Sequence, residues 1–298
     1  MVNLFFYLNY SVMQARLRIA VQKSGRLLEG SLKMLKECGI KINNGKDQLK
    51  VQARKFPIEI LYLRNSDIPQ YVQDGVADVG IIGENTAIEK EKKIEKVIPL
   101  GFSKCRLSIA VPKNIDYPSI DFLKGKKIAT SYPNTLRNFL QQHQIQADIH
   151  EISGSVEIAP NIGLADAICD LVSTGSTLFK NGLEEKDIIL KSEAWIFKNP
   201  SIAPEQQEIL DRLLFRISSV LSARNNKYLL MNAPDDKVQK IINILPGMKS
   251  PTVMPLSSKG WSSIHTVIAE DRFWDIIDEL RVHGAEGILI VPIEKMIV

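Results

Sequence analysis

The chain has 298 residues, 45% hydrophobic and 24% charged, with 38 Lys and Arg against 34 Asp and Glu. This composition excludes wholesale disorder and suggests two or three folded domains. The net charge of +4 is spread without a basic block, so no nucleic-acid surface is indicated.

Cys38, Cys105 and Cys169 are odd in number and far apart, which speaks against a disulfide framework and for a reducing compartment. His143, His150, His265 and His283 share no metal-ligand spacing, so no catalytic zinc is expected. The opening MVNLFFYLNYSVM is apolar, but Asn3, Asn9 and Ser11 interrupt it. It has no positive flank or cleavage site and is too short to span a bilayer. Residues 1–15 are therefore expected to be an unstructured leader.

Leu17 to Val21 reads as a buried strand, followed by a polar turn with Gly25. Leu28, Leu32 and Leu35 recur at helical spacing over Leu27 to Cys38, and Gly39 is a natural stop. A strand over Ile58 to Leu63, a helix over Ser66 to Asp74 and a strand over Asp78 to Asn85 follow. The charged run Glu89 to Lys96 is expected to be a solvated helix face. Arg106 to Pro112, Lys126 to Pro133 and Ala167 to Gly175 make a second strand-rich unit. Ser192 to Phe197 reads as a strand returning to the first lobe, and Pro204 to Arg224 as a long helix. Strands alternating with helices predict α/β architecture, and two lobes joined by crossovers predict a cleft for a small molecule.

From Asn225 the pattern changes. Strand Tyr228 to Pro234, helix Asp235 to Leu245, strands over 251–256 and 262–269, helix Asp271 to Val282 and strand Gly287 to Ile293 give the order βαββαβ. That is the ferredoxin-like split motif. The expected division is a first lobe of 16–105 plus 192–224, a second lobe of 106–191 and a C-terminal domain of 225–298.

The segment ADAICDLVSTGSTL, Ala165 to Leu178, carries the most chemistry. A strand ends at Asp170, and a turn rich in Ser, Thr and Gly opens a helix, aiming main-chain N–H groups at one point as a phosphate requires. Ser173, Thr174, Ser176 and Thr177 add hydroxyls, and Gly175 permits close approach. An ordinary capped helix start is the competing reading. A carboxylate beside a phosphate cradle can hold ribose hydroxyls, the role expected of Asp170; Asp166 is the weaker candidate. Arg106 fits either a phosphate contact or an ion pair.

Several stretches, taken in order, resemble the ATP phosphoribosyltransferases: LRIAVQKSGRL (17–27), DVGIIGEN (78–85), CRLSIAVP (105–112), IATSYPN (128–134), GSVEIAP (154–160), the loop just described, PGMKSPTVMPL (246–256) and IEKM (293–296). The resemblance runs from Arg16 to Met296; only the leader lacks a counterpart. It implies the long form of the family: a two-lobed, periplasmic-binding-protein-like catalytic half followed by a ferredoxin-like regulatory domain.

The implied activity is a cytoplasmic glycosyltransferase of histidine biosynthesis. It joins N1 of the adenine of ATP to C1 of phosphoribosyl pyrophosphate, releasing pyrophosphate with Mg2+ riding on it. Feedback inhibition by histidine and a homo-oligomer of dimers and hexamers are implied as well. Among residues, the resemblance implies catalytic roles for Lys23, Glu157 and Asp170, and phosphoribosyl pyrophosphate contacts from Asp170 and Ser173 to Thr177. It implies ATP contacts from Lys23, Gly25, Arg26, Asp78 and Tyr132. Asn232, Ala233, Met248, Ser250, Thr252 and Gly287 would surround histidine. Taken singly, Lys23 and Arg26 also read as solvated cations and Tyr132 as a core aromatic. The rival functions are a two-lobed solute receptor and a nucleotide-binding regulator without catalysis.

Overall fold

Four fully buried residues, Leu17, Ile19, Ala20 and Val21, put Leu17–Gln22 (β1) in the middle of a sheet. The computed structural model describes residues 15–42, 48–245 and 250–297; the expected leader lies outside them, except for its last residue. Gly25, at φ 85, caps Arg26–Glu37 (α1). Then come Lys50–Gln52 (β2), Ile58–Leu63 (β3), Ile68–Gln73 (α2), Val79–Gly83 (β4), Glu84–Lys90 (α3) and Glu95–Pro99 (β5). Cys105–Pro112 (β6), Lys127–Thr130 (β7), Pro133–Gln142 (α4), Asp148–Glu151 (β8), Ala167–Val172 (β9), Ser176–Lys180 (α5) and Leu183–Ser192 (β10) form the next group. Ala194–Lys198 (β11) and Pro204–Arg224 (α6) complete the half.

Two sheets result, in the orders β2-β3-β1-β4-β11-β5 and β10-β6-β9-β7-β8. β1 runs parallel to β3 and β4, and β7 parallel to β8 and β9; β1, β3 and β4 are buried along most of their length and rich in apolar residues, whereas β8, DIHE, is a polar edge strand. β11 returns to the first sheet, antiparallel to both β4 and β5. The chain crosses between sheets twice, at 100–104 and at Glu193.

The expected solvated face over Glu89 to Lys96 is corrected by the structure. α3 closes at Lys90, Glu91 turns left-handed at φ 49, and Glu95–Pro99 is a strand. Glu89 is 6% exposed, because its carboxylate caps another helix.

Contacts divide the chain into two compact units, with the boundary between Asp211 and Arg212, inside α6. The second unit holds Asn226–Pro234 (β12), Val238–Ile244 (α7), Thr252–Pro255 (β13), Trp261–Ala269 (β14), Glu270–Val282 (α8) and Glu286–Pro292 (β15). Its sheet order β13-β14-β12-β15, all antiparallel, is the ferredoxin-like one. Leu229, Met231, Ala233, Ile264 and Ile268 pack under Ile241, Phe273, Ile276 and Leu280 of the two helices. The alternating residues Tyr228, Leu230, Asn232, Ser263 and His265 occupy the opposite face.

Candidate active site

β9 is pinned between β6 and β7, so the loop after it leaves a rigid platform. Gly175 adopts φ 79 at the start of α5, where no side chain caps the helix. Among the described residues, no main-chain acceptor pairs with the N–H groups of Thr174, Gly175, Ser176 and Thr177. The hydroxyls of Thr174 and Ser176 lie 3.1 Å apart. These residues line a cavity of about 150 Å³ together with Ser173, Arg26, Glu157 and Asp170. Four unpaired N–H groups, several hydroxyls and a guanidinium around one small cavity suit a phosphate.

Asp170 is mostly buried and accepts the N–H of Leu171 at 2.7 Å. Burial is the main cause lifting its carboxyl to about 6; the Leu171 bond opposes this and the charge of Glu157 adds to it. A buried carboxyl shifted towards neutrality by burial and by a second carboxylate in the same cavity is a candidate for function. Asp166 is exposed and accepts the N–H of Lys127, away from the cavity.

Of the two readings of Arg106, the ion pair is the one formed. Its Nε and Nη2 each lie 2.5 Å from a carboxylate oxygen of Glu185, which also accepts the Ser108 hydroxyl. Nη1 donates to the carbonyl of Ser173 at 3.2 Å, so the pair braces the loop from behind. A second cavity of about 360 Å³ lies at the crossovers and shares Ser173 with the first. Lys104, Arg106 and Lys191 flank it, with Glu84, Cys105, Ser192 and Glu193.

Lys23, Gly25 and Arg26 sit on one exposed turn at the C-terminal end of β1; Arg26 alone of them lines the smaller cavity. Tyr132 opens α4, its hydroxyl 3.2 Å from the amide of Asn85. Burial, with the charge of Asp170 next, raises its phenol above the usual range.

Asp78 lies apart from the other expected ATP contacts. It precedes β4 beside Arg18, at the end of the sheet opposite Lys23, and is 6% exposed. It accepts from Arg18 main-chain N at 2.6 Å and Nε at 3.2 Å on one oxygen and from Nη2 at 2.6 Å on the other, so most of its acceptor capacity is taken up by Arg18. Asn85, Glu89 and Glu185 were missed in turn: in sequence they look like turn or surface residues.

In the second unit, Gly287 sits beside Asn232: at φ 59, a Cβ on it would lie 3.4 Å from the Asn232 amide. Thr252 is exposed at the start of β13, opposite His265, on the same sheet face as Asn232. Ala233 points the other way, into the core, so only its main chain is available. Ser250 is exposed, and Met248 lies outside the described residues.

Among the described residues no group of three or more His, Cys, Asp or Glu could hold a metal, and no helix is long and apolar enough to cross a membrane. Residues 64–219 match the family model of ATP phosphoribosyltransferase, and 223–295 that of the HisG C-terminal domain. A relative from Cytophaga hutchinsonii, an ATP phosphoribosyltransferase, is 56% identical over 96% of this chain and 100% of its own. The ATP phosphoribosyl transferase (HisG:HisZ) complex from Thermotoga maritima aligns at TM-score 0.58 and 30% identity, over 68% of this chain and 98% of that one. The structure of Tv2483 bound to L-arginine aligns at TM-score 0.50 and 12% identity, over 72% of this chain and 88% of that one, a likeness of fold alone. With both halves matched in order, and a relative more than half identical along its entire length, the chain belongs to the ATP phosphoribosyltransferase family and carries out the first step of histidine biosynthesis.

Proposed function

We propose that the 150 Å³ cavity, lined by the loop after β9 with Arg26, Glu157 and Asp170, seats the 5′-phosphate and ribose of phosphoribosyl pyrophosphate. That single grouping carries the reading. Unpaired N–H groups and Arg26 meet the phosphate, while Asp170 accepts from the ribose hydroxyls once ionised. Glu157 stands near C1, where bond breaking builds positive charge that a carboxylate eases. ATP comes from the side of Lys23, Gly25, Arg26 and Tyr132, with the larger cavity at the crossovers offering cations for its phosphates. The C1–O bond to pyrophosphate breaks as the N1–C1 bond forms, and pyrophosphate leaves with its charge. Asp170 and Glu157 are too few ligands for a protein-held ion but suit one carried on pyrophosphate and met through its waters; Mg2+ has that preference.

The lobes assigned to catalysis are 16–105 with 192–224, and 106–191. Residues 225–298 are the regulatory part, taking histidine among Asn232, Ala233, Met248, Ser250, Thr252 and Gly287. The working form is a cytoplasmic homo-oligomer of dimers and hexamers. Pyrophosphate release from ATP plus phosphoribosyl pyrophosphate, with and without histidine, tests the whole reading. Release that histidine leaves untouched removes the regulatory half of it.

A further inference from the structure

A buried carboxylate has to be satisfied by something. Glu89, on α3 of the first sheet's lobe, is satisfied by the other lobe. Its Oε1 accepts the N–H of Asn134 at 3.0 Å, and its Oε2 accepts the N–H and hydroxyl of Thr135 at 2.9 and 2.8 Å. The Asn134 side-chain amide donates back to the Glu89 carbonyl at 3.0 Å. These are first-turn positions of α4, where N–H groups lack helical partners and the helix dipole favours an anion. The residue that should cap α4 locally is Tyr132, which makes no side-chain cap, and Pro133 follows it. Glu89 therefore caps α4 from across the molecule.

Asn85 stands four residues before Glu89 and hence on the same face of α3. It is 4% exposed, donates to the Tyr132 hydroxyl at 3.2 Å, and exchanges bonds with Ser192 at the crossover. Tyr132 in turn extends the β7 segment, whose Thr130 pairs with Cys169 next to Asp170. Whatever fixes the start of α4 thus also fixes the strand that presents the phosphate loop.

We propose that Glu89 is a positioning residue of the transferase reaction: capping α4 from the opposite lobe, it holds Tyr132 and the phosphate loop in register with the turn carrying Lys23 and Arg26. The two lobes are latched on this side, so the cleft keeps its aperture before substrates arrive. The inference rests on the assignment of Tyr132 and the loop to the two substrates.

Glu89→Gln keeps the shape but sets an amide NH2 against main-chain donors. Misplacement of one lobe by a fraction of an ångström should lower kcat/KM about tenfold or more for ATP and phosphoribosyl pyrophosphate together. Glu89→Asp, retaining the charge, should restore part of that loss. If Glu89→Gln does not fold, Thr135→Val removes one donor to the same carboxylate and is read in its place, with both KM values expected to rise together. A variant that folds and only melts earlier, its kinetic constants unchanged, overturns the proposal. So does a loss confined to one substrate. Failure of the site assignment reads differently: Tyr132→Phe would then leave the KM for ATP unchanged, whatever Glu89→Gln does.

Discussion

Glu157 shares a cavity with Asp170, and its negative charge adds to burial in holding Asp170 protonated up to about pH 6. The ordinary value is 3.8, so the folded chain binds this proton more tightly than the unfolded one. Stability from this group is complete below 3.8 and is lost as pH rises through about 6. Asp170→Asn should therefore melt later than the parent at pH 8, by on the order of 1–2 kcal/mol, and match it near pH 4. The same variant should bind phosphoribosyl pyrophosphate poorly. In the parent, kcat/KM for that substrate should fall as pH drops through about 6, and Glu157→Gln should move the inflection lower. Thermal melts at the two pH values and a pH–rate profile decide it.

Gly175 holds φ 79, a conformation costly for any residue with a Cβ, although nothing but Val172, at 4.0 Å, approaches the place a Cβ would take. Gly175→Leu should therefore keep the fold while tilting the N–H groups of the loop and filling the space over them. Losing one charge-assisted contact costs about 1.5–3 kcal/mol, which is roughly a 10- to 150-fold rise in the KM for phosphoribosyl pyrophosphate. Unchanged affinity for that substrate, with ATP alone weakened, would reverse the assignment of the two sites.

Arg106 reaches the same loop from behind, so its replacement should act on the same substrate. Arg106→Lys keeps the charge but cannot hold both oxygens of Glu185 and the Ser173 carbonyl at once. We expect the KM for phosphoribosyl pyrophosphate to rise about tenfold, the value of one bond of about 1.5 kcal/mol, with kcat changed less. An equal effect on ATP would instead make Arg106 a ligand of the neighbouring 360 Å³ cavity.

Asp78→Asn separates structure from binding. Removing one partner of a mostly buried pair costs about 2–4 kcal/mol, tempered here because the Arg18 side chain is 39% exposed. The variant should melt earlier while its KM for ATP stays at the parent value. A selective loss of ATP affinity would instead make Asp78 a contact of the nucleotide.

What was legible in the sequence followed periodicity. The long helix over Pro204 to Arg224, the βαββαβ order and the loop after β9 all announce themselves through apolar spacing or Ser-Thr-Gly chemistry. β10 does not: LEEKDIILKS is a charged edge strand with two irregularities in its register, so no alternation survives to be read. α4 hides behind Tyr132 and Pro133 because its cap is supplied by Glu89, 45 residues before Asn134. Glu89 was illegible because an acid satisfied by a distant donor looks in sequence like an acid satisfied by water.

The proposed sensing role of the C-terminal domain can be tested at Thr252. It is exposed on the edge strand β13, opposite His265, on the face that also carries Asn232. Tyr228 and Ser263 hydrogen-bond the two ring nitrogens of His265 at 2.8 and 3.0 Å, so that face already has an ordered polar row beside Thr252. An exposed position outside the core tolerates a bulky side chain at little cost to folding, usually within about 0.5 kcal/mol. Thr252→Trp should therefore leave uninhibited turnover near that of the parent while covering the ground on which an amino acid would sit. Coupling between an effector and a distant cleft is typically about 1–3 kcal/mol, so histidine should shift the parent's activity by roughly 5- to 150-fold and the variant's hardly at all. Gly287→Val, pressed against the Asn232 amide and strained at φ 59, should do the same with some loss of stability. Histidine that still inhibits both variants, and does so in competition with ATP, would move its site from this domain to the catalytic cleft.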